Sequence, residues 1–134
     1  MIGKLILTHG GLAKELLAAA QKISGELPGF AALSLDWDVS LETARENVVA
    51  ALASLDQGEG VLILTDMFGG TPCNVAAALM DYGRVEMLTG VNLPMLVRAL
   101  TYRDKGLAVM VEKALSGGTE GVLHMTRDCC NGKH

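Results

Sequence analysis

The stretch KLILTHGGLA, residues 4–13, decides the fold because it joins a short apolar run to a glycine pair and a helix start. This order predicts a strand, a tight turn and a helix, with His9 at the carboxyl end of the strand. A second stretch, VLILTDMFGGTP at residues 61–72, has the same form and carries Asp66 where the first carries its histidine. An imidazole and a carboxylate on neighbouring strand ends indicate a histidine that is held in one tautomer and used as a nucleophile.

Strands and helices alternate outward from these two stretches. Both strands are apolar on consecutive residues, which is typical of a parallel sheet covered by helices on both faces. We therefore predict one α/β domain, residues 1–134, whose ligands bind beyond the carboxyl ends of an open, mostly parallel sheet. Predicted strands span 4–8, 30–35, 61–65, 85–88 and, weakly, 120–125; predicted helices span 12–23, 41–55, 71–82 and 107–115, with one more ending near Tyr102.

Composition excludes several classes of protein. The 134 residues suffice for one domain with a core, and 50% of them are hydrophobic while 4% are aromatic. A net charge of −4 without a basic cluster argues against nucleic acid as a partner. No apolar run approaches the roughly 20 residues that span a bilayer. The N-terminus lacks the pattern of a signal peptide, so we expect a cytoplasmic protein.

The cysteines and the common nucleotide and hydrolase motifs add no site. Cys73 falls just inside a predicted helix, whereas Cys129 and Cys130 fall in a tail, residues 126–134, that we expect to be frayed. Cys129 and Cys130 lack metal-site spacing, and we interpret them as reduced thiols; the alternative is a stray metal ion bound together with His134. The sequence contains no phosphate-binding P-loop, no G-x-G-x-x-G after a strand and no G-x-S-x-G elbow.

Each candidate residue also has an ordinary structural interpretation. A histidine in a turn is often only a solvated side chain, and Asp66 would serve equally well as a helix-capping or loop carboxylate. Trp37, the only tryptophan, is either a partner contact or a half-buried edge of the core. Asn92 begins a predicted helix, and His124 receives no role. The joint occurrence of His9 and Asp66 at two strand ends favours the functional interpretation.

Three segments together resemble a known family. LTHG at residues 7–10, TDMFGGTP at 65–72 and GVNLPML at 90–96 resemble the IIA domain of the mannose family of the bacterial sugar phosphotransferase system. The resemblance implies a cytoplasmic homodimer in which His9 accepts a phosphoryl group from the phosphocarrier HPr and passes it to a IIB protein. It also implies that Asp66 pairs with this histidine and that Thr71 stands near the phosphate.

The resemblance extends these expectations to the phosphate, the subunit contacts and the partners. The phosphoryl oxygens are expected to meet backbone N–H groups of Gly10, Gly11, Gly70 and Thr71, together with the Thr71 hydroxyl. Neither a cofactor nor a metal ion is expected, since positioning and backbone dipoles suffice between two histidines. The strand at 120–125, reached through a glycine hinge at 117–118, is expected to pack antiparallel on the sheet of the other subunit, and the alternative is that it folds back on its own sheet.

The expected partners follow from the same resemblance. The IIB partner is expected to be a separate protein, and association with membrane IIC and IID components would be indirect. Two other functions stay open at this point. One is a regulatory domain that uses His9 phosphorylation as a signal, and the other is the phosphotransfer subunit of a dihydroxyacetone kinase. The sugar itself is not readable from the sequence, because no sugar touches such a domain.

Overall fold

Four strands and five helices follow one another within residues 1–127, the part of the chain that the computed structural model describes. Their order repeats strand and helix up to α4, as the apolar pattern predicts. The strands are β1 (Gly3–His9), β2 (Phe30–Leu35), β3 (Val61–Thr65) and β4 (Val85–Leu88). The helices are α1 (Leu12–Ser24), α2 (Leu41–Leu55), α3 (Thr71–Ala77), α4 (Leu93–Thr101) and α5 (Leu107–Glu120).

The four strands form one open sheet in the order β2-β1-β3-β4, and every pair is parallel. In the register, Leu7 lies beside Thr65 of β3, and His9 lies beside Leu35 of β2. The chain passes from β1 outward to β2 and then returns to the other side of β1 as β3. The carboxyl ends of β1 and β3 therefore flank the point where the strand order reverses, which is where open α/β sheets bind ligands. The predicted α/β class and parallel sheet are confirmed.

Both faces of the sheet are buried, and this fixes which side chains point to which layer. Ile6 and Leu64 pack with residues of α1, α4 and α5 on one face. Leu7 and Ile63 pack with residues of α2 and α3 on the other face. Each such aliphatic side chain contributes about 1.5–3 kcal/mol of transfer free energy. The two central strands are thereby held in place, and their carboxyl ends become a rigid platform.

Helix starts agree with the sequence in some places and differ in others. Ser40 caps α2, since its side chain accepts a hydrogen bond from the Thr43 N–H at 3.1 Å. Asn92 caps α4 in the same way by accepting from the Met95 N–H at 2.9 Å. The pair Thr71-Pro72 is typical of a helix cap followed by the first helical residue, but the structure differs: Gly70 holds the cap position of α3, and Thr71 is the first helical residue.

Helix α3 is also shorter than predicted. It ends at Ala77 rather than near residue 82. The chain then turns back on itself, and the Asp81 and Val85 backbones exchange hydrogen bonds of 3.0 and 2.7 Å at the entry to β4. This reversal leaves no room for another helical turn before the strand begins.

The end of the described chain differs most from expectation. The prediction of a hinge at Gly117 and Gly118 is wrong, because α5 continues through both residues to Glu120. Residues 121–126 belong to no strand of the single chain, so the predicted antiparallel strand at 120–125 is not seen there. Glycine at both positions of this helix lets α4 approach α5 closely. A Cβ at Gly117 would lie 2.6 Å from Arg98 Cβ, and one at Gly118 would lie 2.7 Å from Met95 Cε. This packing offsets the cost of glycine in a helix, about 1 kcal/mol per residue.

Cys73 lies in α3 as predicted, and it is a buried free thiol. The predictions for Cys129, Cys130 and His134 fall outside the described residues. Within residues 1–127, no helix combines the length and the apolar character that a membrane crossing requires.

Candidate functional site

Three adjacent strand ends converge on one imidazole. His9 is the last residue of β1, Asp66 directly follows β3, and Trp37 lies two residues beyond the end of β2. The Gly10 N–H donates to the Leu35 carbonyl at 2.8 Å and so extends the β1–β2 pairing past His9. The parallel register therefore brings together residues that are far apart in the chain, as the sequence predicts for His9 and Asp66.

The Asp66 carboxylate is the hydrogen-bond partner of His9. Its Oδ2 atom lies 2.8 Å from His9 Nδ1 and also accepts a hydrogen bond from the His9 backbone N–H at 3.1 Å. Its Oδ1 atom accepts from the Met67 N–H at 3.0 Å. An ionised carboxylate only accepts hydrogen bonds, so Nδ1 carries the proton and the lone pair of the ring is left at Nε2. The two side chains are 17% and 14% exposed, so water competes only weakly for this bond.

The environment of Asp66 keeps it ionised. Partial burial by itself would raise the pKa of this carboxyl group, because burial penalises the charged form. The hydrogen bonds from the His9 ring and backbone, together with the electrostatic attraction of the ring, outweigh burial and hold the pKa of Asp66 below its ordinary value. The carboxylate is therefore available both to orient the ring and to offset positive charge on it.

Gly70 contacts the other edge of the imidazole. A Cβ at position 70 would lie 2.4 Å from His9 Cε1 and 2.7 Å from Nε2. The backbone there has φ −87° and ψ 175°, an extended conformation that any residue adopts. Glycine is required at position 70 by the ring and not by the backbone. Any side chain at this position would displace the imidazole or cover Nε2.

Trp37 stacks on the face of the ring. The centroids of the indole and the imidazole are 4.9 Å apart, and the ring planes differ by 19°. Trp37 is 80% exposed, so its interpretation as a half-buried core edge is wrong. Gly10 permits the contact, because it has φ +54° and a Cβ there would lie 3.1 Å from the indole Nε1.

Exposed apolar side chains lie in the loops that carry the site. Met67 and Phe68 follow Asp66 directly and are 57% and 82% exposed. We call these two side chains and Trp37 the apolar rim, since they lie in the loops that follow β3 and β2. Groups of exposed apolar side chains are characteristic of a surface that docks another protein.

The backbone donors around His9 differ from one another. The Gly10 N–H is already bonded to the Leu35 carbonyl, which does not fit its predicted role as a phosphate donor. Gly11 is the cap residue of α1, and Gly70 and Thr71 open α3, where the first N–H groups of a helix have no partner within it. The role of Gly11, Gly70 and Thr71 as phosphate donors stays a prediction.

Sequence reasoning missed two contacts of the ring: the Trp37 stack and the Gly70 wall. The signal for the first was present, because a lone tryptophan between two aspartates directly follows the strand that neighbours β1. The second depends on how two distant segments pack, so no local pattern signals it. Among residues 1–127, no cluster of three or more His, Cys, Asp or Glu side chains is arranged to hold a metal ion.

The fold and the imidazole–carboxylate pair define a small α/β domain with a histidine site at the switch point of its sheet. Residues 3–115 match the EIIA-man family model, which is described as the fructose IIA component of the phosphotransferase system, or PTS. The chain therefore belongs to the mannose family of EIIA components, and it is a IIA component of the phosphotransferase system. The resemblance of the three sequence segments is confirmed.

Individual relatives agree with this assignment. The chain is 38% identical over 124 residues to the PTS system mannose-specific EIIAB component of Escherichia coli strain K12, and it spans 38% of that protein's length. It is 34% identical over 105 residues to the PTS system fructose-specific EIIA component of Bacillus subtilis strain 168, covering 78% of this chain and 72% of that protein. Among solved structures, the mannose/sorbose specific IIA subunit from Enterococcus faecalis superimposes with a TM-score of 0.83 at 31% identity, covering 94% of this chain and 96% of the other.

Proposed function

We propose that this chain is a phosphoryl carrier that accepts a phosphoryl group on Nε2 of His9 from phosphorylated HPr and delivers it to a IIB protein. One observation carries the proposal: His9 Nδ1 lies 2.8 Å from the Asp66 carboxylate, which leaves the lone pair of the ring at Nε2. A ring nitrogen that is oriented in this way and has glycine at its edge suits attack on phosphorus.

The transfer balances without an added reactant. The Nε2 lone pair forms a bond to phosphorus while the bond from phosphorus to the donor's histidine breaks, and the donor's ring keeps that electron pair. The His9 ring retains its proton at Nδ1 and becomes positively charged. The Asp66 carboxylate offsets this charge through the hydrogen bond it already makes. Delivery to the IIB protein is the same step in reverse.

The phosphoryl oxygens need donors at fixed positions. Gly11 caps α1, and Gly70 and Thr71 open α3, so their backbone N–H groups and the Thr71 hydroxyl are the donors we assign to the phosphoryl oxygens. These dipoles are oriented before the phosphoryl group arrives, so they stabilise its negative charge without reorganisation. The apolar rim of Met67, Phe68 and Trp37 then excludes water around the two histidines when HPr or the IIB protein docks.

Phosphorylation in a reconstituted system tests this proposal. The protein is incubated with phosphoenolpyruvate, enzyme I and HPr, and the acid-labile phosphate is mapped by mass spectrometry. We expect one label, on His9, and none in His9→Ala. The matched control is His124→Ala, which removes an exposed histidine far along the chain and should be labelled like the wild type. Label on His124 or His134, or undiminished label in His9→Ala, would contradict the proposal.

We further propose a homodimer in which residues 120–125 contact the other subunit. Two observations support it. β4 is an edge strand of the four-stranded sheet, so one side of its backbone has no strand partner among residues 1–127. Beyond α5, Val122, Leu123 and Met125 are 75%, 69% and 48% exposed, which is unfavourable for apolar side chains without a partner.

Light scattering on truncated chains tests the dimer. Gly121 is retained, since a Cβ there would lie 2.6 Å from Pro94 Cγ and this close packing belongs to the α4–α5 pair. Deletion of residues 122–134 should weaken dimerisation, whereas deletion of residues 128–134 alone should not. A monomeric intact protein, or an equally tight dimer after the longer deletion, would contradict the proposal. A cytoplasmic location and an indirect link to membrane IIC and IID components belong to the same proposal.

A further inference from the structure

His9 is restrained by more than its hydrogen bond to Asp66. The hydrogen bond holds the ring at Nδ1, and contacts on the ring face further limit its rocking about the Cβ–Cγ bond. Trp37 covers the face of the ring with centroids 4.9 Å apart, and Gly70 borders its Cε1–Nε2 edge. The face contact is thus a second restraint on the plane of the ring and on the direction of the Nε2 lone pair.

Burial does not explain why Trp37 occupies this place. The side chain is 80% exposed, so it contributes little to the core. The indole lies against Gly10 on one side and against the imidazole on its face. The stack on His9 is the specific contact that this exposed tryptophan makes with a side chain of the site.

Stacking on an indole distinguishes a charged ring from a neutral one. The face of an aromatic ring carries negative charge density, and tryptophan attracts cations most strongly among the aromatic residues. In the carrier cycle proposed above, the imidazole is neutral before transfer and positively charged afterwards, because it keeps the proton on Nδ1. The stack therefore becomes more favourable when the phosphoryl group is present.

We propose that Trp37 is a positioning residue that holds the plane of the His9 ring and favours its positively charged, phosphorylated form. The charge part of this inference rests on the proposed carrier function. Trp37 acts through His9, and it needs no contact with the phosphoryl group itself. The other role open to an exposed tryptophan, contact with a docking protein alone, gives a different result in the measurements below.

The equilibrium constant for phosphoryl exchange with HPr separates the two roles. A residue that only docks the partner changes the forward and reverse rates equally and leaves the equilibrium between the free proteins unchanged. A residue that stabilises the charged ring changes the equilibrium. Trp37→Leu should lower the equilibrium constant for phosphoryl transfer from HPr by about two- to fivefold, which is the size of an exposed cation–π contact. The constant is obtained from the phosphorylated fraction of the protein at equilibrium with a defined HPr pool. Trp37→Phe keeps an aromatic face and should stay within about twofold of the wild type.

Tyr82→Leu is the matched control, since it also removes an exposed aromatic side chain, in the turn that precedes β4. It should leave the equilibrium constant unchanged. An unchanged constant in Trp37→Leu, with slower exchange in both directions, would show that Trp37 only docks the partner and would overturn the proposal. A Trp37→Phe protein that falls as far as Trp37→Leu would overturn the aromatic contribution.

A second readout does not depend on phosphorylation. The ring protons of His9 experience the ring current of the indole, so their NMR resonances should move in Trp37→Leu, move less in Trp37→Phe and stay in place in Tyr82→Leu. Unmoved resonances in Trp37→Leu would overturn the stack. If the wild-type protein accepts no phosphoryl group, the carrier function and the charge effect fail together, while the resonances still decide whether Trp37 positions the ring.

Discussion

The two strand–turn–helix segments look alike in sequence and differ in what their glycines do. Each turn contains a glycine with positive φ, +54° at Gly10 and +91° at Gly69, and each ends in a glycine that caps the following helix. At Gly11, a Cβ would meet nothing within 4 Å. At Gly70, it would lie 2.4 Å from His9 Cε1. One cap glycine faces open space, and the other forms a wall of the site.

The difference shows how a repeated local motif supports one asymmetric site. The first segment contributes the imidazole, and the second contributes the carboxylate and the glycine that border it. Turn chemistry accounts for the positive φ values, and either segment could be recognised from its own sequence. The role of each cap glycine depends on the packing of β1 against β3, which brings the second segment to the ring.

The largest expected effect is that of a methyl group added at Gly70, compared with the same change at Gly11. Gly70→Ala should slow phosphorylation of His9 by about 10²-fold, since displacement of a reacting atom by about an ångström has that effect. Gly11→Ala should stay within about threefold, because it removes no backbone donor and meets no atom. Both backbones have negative φ, so alanine adds no strain at either position. Rapid-quench measurements of the rate of phosphorylation by phosphorylated HPr compare the two variants with the wild type.

Equal rates in the two alanine variants would mean that the turns are equivalent and that Gly70 does not restrict the ring. A crystal structure of Gly70→Ala would show whether the imidazole has rotated away from Asp66. A slow variant with an unmoved ring would point instead to a side chain that obstructs Nε2.

The next effect concerns the bond that joins the two segments. Asp66→Asn should slow phosphorylation by more than about tenfold, or about 1.4 kcal/mol of barrier. An amide can donate to Nδ1, which shifts the ring proton to Nε2 and removes the nucleophilic lone pair. It also carries no charge to offset the phosphorylated ring. Asp38→Asn is the matched control, because Asp38 is an exposed carboxylate in the loop after β2.

Wild-type rates in a folded Asp66→Asn protein would reduce Asp66 to a loop residue and leave the two segments without a functional connection. Circular dichroism and the urea midpoint establish that the variant is folded. A rate loss of similar size in Asp38→Asn would assign the effect to net charge near the site and not to the hydrogen bond.

The sequence predicts the sheet and the pairing of His9 with Asp66 because both depend on local patterns. Consecutive apolar residues in β1 and β3 indicate buried parallel strands, and parallel strands place their carboxyl ends at one edge. The same local reasoning fails at Gly117 and Gly118. A glycine pair after a helical pattern indicates a helix end, whereas here it allows α5 to approach Arg98 and Met95 of α4.

The errors at the site have the same origin. The Trp37 stack and the Gly70 contact join residues on different strands, and their distances follow from tertiary packing. The loss of the Gly10 N–H as a donor follows from its hydrogen bond to Leu35 on a neighbouring strand. Residue types and spacing indicate which residues come near each other. They do not indicate which atoms are already occupied.

The smallest expected effect is on stability in acid. The pKa of Asp66 is lowered in the folded protein, so the carboxylate binds its proton more weakly there than in the unfolded chain. It therefore stabilises the fold above the ordinary pKa of 3.8, and this contribution is lost as the pH falls through the lower, folded-state value.

Asp66→Asn should be less stable than the wild type by about 1 kcal/mol near neutral pH, the size of one such hydrogen bond. The difference should shrink as the pH falls below 3.8 and through the lower folded-state pKa, where the wild-type carboxyl group becomes protonated as well. Urea unfolding of the wild type, Asp66→Asn and Asp38→Asn at about pH 6 and about pH 2.5 measures it. A difference that grows in acid would mean that folding raises the pKa of Asp66, so that the contact with His9 does not stabilise the charged carboxylate.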